Sequence, residues 1–147
     1  MSSFFCFFGK IYAIEPAPVN FRKLSANLNL QKENITLINS AVSNRAGEMK
    51  FSEKGGRNPY ITIEGKISVK VDTLASLLPE VPDIVKLDVE GEEVQVLESA
   101  TELIKKHAPT LLVSVYHKTE DFINIPLMVK EMQGKEGADQ RKNDIAT

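Results

Sequence analysis

Among the 147 residues there is one cysteine, Cys6, and no tryptophan. A lone thiol cannot close an internal disulfide, which fits a reducing, cytoplasmic setting. No apolar run approaches the roughly 20 residues that a bilayer-crossing helix needs, so no membrane span is expected. The N-terminal stretch "FFCFF" is shorter than the apolar region of about 7 to 15 residues that a secretory signal carries. Neither sign of charge dominates, because 18 Lys and Arg stand against 20 Asp and Glu and leave a net charge of −2. With no basic stripe, the chain has no electrostatic reason to bind nucleic acid or an anionic membrane. No internal repeat is visible.

What is present is a chain that is 42% hydrophobic, enough for one core that buries roughly 70% of the unfolded surface. "KIYAIEP" predicts a short strand stopped at Pro16. "PVNFRKLSANLNL" predicts a helix, with Phe21, Leu24 and Leu28 three and four residues apart and Pro18 in its first turn. A second strand, "NITLINSAV", starts at Asn34. From Glu48 to Val71 apolar and polar residues alternate around Gly55 and Gly56, which predicts an antiparallel excursion outside the main sheet. "DTLASLL" predicts a short helix capped by Asp72 and ended by Pro79. "DIVKLDV" is a third strand, followed by a helix over about 91–107, with acids in its first turn and Lys105, Lys106 and His107 in its last. "TLLVSVY" has the continuous apolar character of a parallel strand covered on both faces, and a final helix is predicted over about 126–132. Residues 133–147 hold few apolar side chains and are expected to form a disordered polar tail.

This order predicts an α/β fold: a mainly parallel sheet with helices on both faces and a β-hairpin excursion. The strands near 11–15, 35–39, 83–88 and 110–116 should run mutually parallel. In such sheets ligands lie beyond the carboxyl ends of the strands. Glu15 stands at one such end, where a carboxylate can accept hydrogen bonds from the two hydroxyls of a ribose; a solvated turn acid is the alternative. Asp88 and Glu90 follow another strand. Asp88 can orient a hydroxyl or take its proton, or it can cap the next helix. His117 emerges at the same end, and an ordinary imidazole pKa near 6.5 suits a general base. His107, by contrast, ends a helix and suits the helix dipole. Asp88, Glu90 and His117 could form an oxygen and nitrogen metal site, yet no spacing is diagnostic of one, and no metal is expected. Cys6, among phenylalanines, reads as a small core residue.

In order and spacing, "IYAIEPAPVNFRKLSANLNL", "ITLINSAVSNRAGEMKF", "VKVDTLASLL", "DIVKLDVEGEEVQVLESATELI" and "VYHKTEDF" resemble the FkbM-type methyltransferases that use S-adenosylmethionine. The resemblance covers about residues 10–132, the predicted domain, and leaves 1–9 as an apolar remnant. It implies a partial Rossmann-like class I methyltransferase fold and methylation of a hydroxyl on a small molecule, sugar or lipid. By the same resemblance Glu15 holds the ribose of the cofactor, Ser40 and Ala41 lie beside the adenine, and Asp88 and Glu90 face the methyl group.

The family opens with a strand and a glycine-rich loop about 20 residues before the ribose acid, whereas Gly9 is the sole glycine ahead of Glu15. The missing strand would lie at the sheet's centre, between the strands of Ile14 and Leu87. Residues 3–8 therefore either form a helical turn that leaves an open, self-associating edge or fold back as an antiparallel hairpin that fills the slot. The resemblance favours the helical turn. The alternative to an active enzyme is a catalytically inactive methyltransferase-like fragment or interaction module.

Overall fold

The computed structural model describes residues 3–7, 9–28, 34–52, 60–61 and 67–133. The chain opens with a hairpin: β1 (Ser3–Phe7) turns at Gly9 and returns as β2 (Lys10–Ile14), antiparallel, with Ser3 opposite Ile14 and Phe7 opposite Lys10. Gly9 holds φ at +81°, a conformation that costs a side-chain-bearing residue energy. α1 (Pro18–Leu28) follows, starting on Pro18, but it buries none of its residues fully. β3 (Ile35–Ile38) pairs parallel to β2. The chain then leaves the main sheet for β4 (Ala41–Val42), so the single strand expected from Asn34 is two, in two sheets. Ser40 marks the crossing, its hydroxyl within 3.0 Å of the carbonyls of both Ala41 and Lys70.

β5 (Gly47–Ser52), β6 (Tyr60–Ile61) and β7 (Ile67–Asp72) complete the second sheet, in the order β4-β7-β5-β6. This is the antiparallel excursion, and it lies outside the main sheet as expected. Its Gly55-Gly56 turn falls outside the described residues. α2 (Leu74–Leu77) is capped by Thr73, whose hydroxyl accepts from the Ser76 amide, and not by Asp72. Asp72 instead closes β7 and accepts the Thr73 N–H at 2.9 Å.

β8 (Ile84–Leu87) and β9 (Thr110–Val113) pair parallel to each other. Between them stand α3 (Glu93–Ser99) and α4 (Thr101–His107), where one continuous helix was expected. The break at Ala100 has a local cause. The Ser99 hydroxyl donates to the Val96 carbonyl at 2.8 Å and the Thr101 hydroxyl to the Glu98 carbonyl at 2.8 Å, and such back-bonding competes with the helical ladder. α5 (Asp121–Gln133) begins five residues before Pro126, the expected start. The carbonyl that Pro126 leaves without a donor belongs to Phe122, a residue 71% exposed, where water can satisfy it. The polar tail after Gln133 lies outside the described residues.

The main sheet has the order β3-β2-β1-β8-β9. β1 is antiparallel to both neighbours, pairing Phe4, Phe5 and Cys6 with Lys86, Val85 and Ile84, so the four other strands all run one way, as expected. Residues 3–7 are therefore a strand and not the helical turn that the resemblance favoured. Two residues between strands permit only an antiparallel return, because a parallel neighbour needs a crossover of a dozen or more. The central slot is filled, and the open edge from which self-association was expected is not there. β9, at the sheet's end, is less covered than its composition suggested, with Leu112 54% exposed.

The core joins Tyr12 and Ile14 of β2, Val85 and Leu87 of β8, and Val96, Leu97, Ala100, Ile104 and Ile125 of the helices that follow. Each fully buried Leu, Ile or Val contributes about 1.5 to 3 kcal/mol. This packing fixes the carboxyl ends of β2, β8 and β9 at one end of the sheet.

Candidate functional site

β8 alternates, with Val85 and Leu87 in the core, and the chain then turns within four residues. The Glu92 amide bonds the Val89 carbonyl at 3.3 Å, and the two residues between, Glu90 and Gly91, have φ of +55° and +95°. Positive φ at both central positions is the signature of a type I′ turn, which suits glycine but not glutamate. Gly91 is further constrained by space, because a Cβ there would meet the Lys118 side chain at 3.2 Å. Lys118 in turn donates to the Gly91 carbonyl. The turn sends Asp88 and Glu90 to one side and brings Glu93, at the start of α3, back beneath them.

His117 enters this group from the end of β9. Its Nδ1 stands 3.0 Å from Glu93 Oε1, and its Nε2 stands 3.3 Å from Glu90 Oε2 and 3.8 Å from Asp88 Oδ1. Glu93 is fully buried and also accepts the Val89 N–H at 3.0 Å. Tyr116 donates its hydroxyl to Asp88 Oδ1 at 2.8 Å, and its ring lies 4.2 Å from the His117 ring. The hydrogen bond to Asp88 is the main reason the Tyr116 phenol is raised above its ordinary pKa. Lys86 approaches Asp88 Oδ2 at 3.8 Å.

Despite these approaches, neither ring nitrogen of His117 makes a well-directed hydrogen bond, and Glu93 Oε2 is buried without one. One ligand-type atom each of Asp88, Glu93 and His117 falls within 4.8 Å of the other two. Chemically, this group can accept a proton, orient a hydroxyl or surround a cation.

The residues expected near a nucleotide stand elsewhere at the same end of the sheet. Glu15 follows β2, 1% exposed, and its Oε1 accepts the Ala17 N–H at 2.8 Å. Asn39 locks the turn by donating to the carbonyls of Glu15 and Pro16 at 2.8 and 3.1 Å. Ser40 and Ala41 are both buried, and the Ser40 hydroxyl is engaged by backbone. Beside the carboxylate group, Ser43 donates to Glu92 at 3.1 Å. These two residues, with Arg45, Gly47 and Glu48, line a cleft of about 230 Å³.

Asp88, Glu90 and His117 thus come together as the sequence suggested. Glu93 and Tyr116 were missed. Glu93 is one of the first-turn acids that suit the helix dipole, yet with Val96, Leu97, Ala100 and Ile104 it follows the helical period of the buried face. An acid on the apolar stripe of a helix is a legible sign of a buried, partnered carboxylate. No comparable sign marks Tyr116, because its contact with Asp88 exists only after β8 and β9 pair.

Comparison with known proteins gives a consistent picture. The family model described as Methyltransferase FkbM domain matches residues 3–137. A curated relative, Hexuronic acid methyltransferase AglP of Haloferax volcanii, is 26% identical over 102 residues, covering 65% of this chain and 43% of the relative. Among solved structures, the methyltransferase FkbM from Methylobacillus flagellatus KT superposes with a TM-score of 0.67 at 19% identity, over 84% of this chain and 30% of that one. The chain therefore spans less than half the length of either relative.

Proposed function

Because the chain belongs to the FkbM methyltransferase domain family, we propose that it transfers a methyl group from S-adenosylmethionine to a hydroxyl, with a sugar as acceptor in preference to a small molecule or lipid. The observation that carries this reading is the convergence of Asp88, Glu90 and His117 at the carboxyl end of the sheet, the end that also holds Glu15. The sugar class is supported by the relative that acts on a hexuronic acid.

The cofactor's fit can be judged from the residues present. Glu15 offers a carboxylate at the end of β2, fixed by the Ala17 amide, with the chemistry to accept ribose hydroxyls. At 1% exposure it meets a ribose only after the chain around it opens. Bound there, the cofactor supplies an electrophilic methyl group on a sulfonium. The chain's part is to align the acceptor and exclude water. In this reading Asp88 and Glu90 orient the hydroxyl, and His117, whose Nε2 faces both carboxylates, takes the proton. Proton acceptance of this kind typically supplies about 10² to 10⁴ in rate.

A second reading, an inactive methyltransferase-like interaction module, is favoured by one feature. Among the described residues no glycine-rich loop stands at the ligand end of the sheet, and β1 fills the central position. Titration calorimetry with S-adenosylmethionine on the wild type and Glu15→Ala separates the two. The enzyme reading expects binding that Glu15→Ala weakens, since hydrogen bonds to a charged acceptor contribute roughly 1.5 to 3 kcal/mol each. Equal affinities would remove Glu15 from the site, and heat from neither protein would support the module.

A further inference from the structure

We propose that Asp88, Glu93 and His117 form a binding site for a divalent cation of the Mn²⁺ or Zn²⁺ class. Three elements of the fold deliver the ligands: the end of β8, the first turn of α3 and the end of β9. One donor atom of each already lies within 4.8 Å of the others, and the closest measured approach is 3.0 Å. Ligands bound tetrahedrally to one ion at about 2.0 to 2.2 Å stand roughly 3.3 to 3.6 Å apart, so the widest of these separations has to shorten by about 1 Å, within reach of side-chain rotation, to close the shell.

The state of the individual atoms points the same way. Glu93 is fully buried with Oε2 unpartnered, and both nitrogens of His117, whose side chain is 12% exposed, lack a hydrogen bond. A buried polar atom without a partner has given up its water and gained nothing in return. A closed Glu93–His117 hydrogen bond would remove much of that cost, but the ring does not direct its Nδ1 at Glu93 Oε1 despite the 3.0 Å separation. A cation needs no such alignment with a donated hydrogen, and it offsets the negative charge of the three acids gathered there. Two carboxylate oxygens and an imidazole nitrogen suit Mn²⁺ or Zn²⁺ better than Mg²⁺ or Ca²⁺, which favour shells of oxygen alone.

Spacing along the chain gave no hint of this site, because its ligands meet only through strand pairing. Three protein ligands also leave coordination positions open toward the ligand end of the sheet, where the cation would hold an acceptor hydroxyl and ease loss of its proton, with Glu90 and not the coordinated His117 as the group that accepts it. That role rests on the methyltransferase reading; the coordination itself does not.

The test is titration of Mn²⁺ into EDTA-treated, dialysed wild-type protein, followed by electron paramagnetic resonance of the free ion and repeated with Zn²⁺ by calorimetry. We expect one ion per chain and at least a tenfold loss of affinity in Glu93→Gln and in His117→Gln. Asp88→Asn, an isosteric change at the third ligand, provides the same comparison if the other two variants fail to fold by circular dichroism. Absence of binding by the wild type, or affinity unchanged in the folded variants, would overturn the site. S-adenosylmethionine is titrated separately in EDTA. Cofactor binding without metal binding sinks the cation and spares the methyltransferase reading, whereas metal binding without cofactor binding does the reverse.

Discussion

Glu93 on α3 and His117 beyond β9 approach to 3.0 Å, with α4 and β9 lying between them in the chain. Glu93 also accepts the Val89 N–H, so one buried carboxyl bonds the β8 turn to α3 and stands against the residue that follows β9. Glu93→Ala leaves that amide and an imidazole facing a void. We expect a loss of about 2 to 4 kcal/mol in urea unfolding. A variant within 0.5 kcal/mol of the wild type would show that the pair carries no structural role.

The neighbouring Glu90 behaves in the opposite sense. Its φ of +55° is unfavourable for any residue but glycine. Glu90→Gly is therefore expected to raise stability by up to about 1 kcal/mol and, on the proposed reading, to lower methyl transfer. Denaturant midpoints and turnover measured on one preparation check both halves. Loss of stability would mean that the Glu90 carboxyl contributes more than its backbone costs.

The hairpin makes its own demand on Gly9. A Cβ added there meets nothing within 4 Å, so only the φ of +81° opposes a side chain. Gly9→Ala is expected to cost roughly 1 kcal/mol or more. A thermal midpoint equal to that of the wild type would show that the turn does not hold Gly9 at positive φ.

Lys10, at the start of β2, donates to Glu80 at 2.8 Å, and this hydrogen bond is the main reason its ammonium is raised above its ordinary pKa. The sign follows: with the folded value above the unfolded one, the stabilisation is complete below about pH 10.5 and disappears as pH rises through the folded value. NMR titration of the Lys10 ammonium should show a downward shift in Glu80→Gln, and added salt should shrink the difference because the pair is exposed. An unchanged titration would dismiss the pairing in solution.

Much of this architecture was legible along the chain. The strands of Ile14, Leu37, Leu87 and Leu111 and their common direction follow from apolar runs broken by helical periods. Asp88, Glu90 and His117 were identifiable because each follows such a strand. What escaped was decided by contacts distant in sequence or by side chains bonding their own backbone. The place of residues 3–7 depends on a slot between β2 and β8 that exists only in the folded sheet. The break at Ala100 depends on Ser99 and Thr101 turning inward to carbonyls, which helix periodicity does not register.

The antiparallel strand at the middle of the main sheet also governs the order in which the fold can assemble. β1 and β2 are separated by two residues in the chain, and hairpins so short close in about 1 to 10 μs. The contact of Phe4, Phe5 and Cys6 with Lys86, Val85 and Ile84 spans most of the domain, and these three pairs join the half-sheet β3-β2-β1 to the half-sheet β8-β9. Closing so long a loop is slow, so the two halves meet late, along a short seam. That seam is where partial opening would begin, and the clustered acids and His117 lie on one side of it with Glu15 on the other.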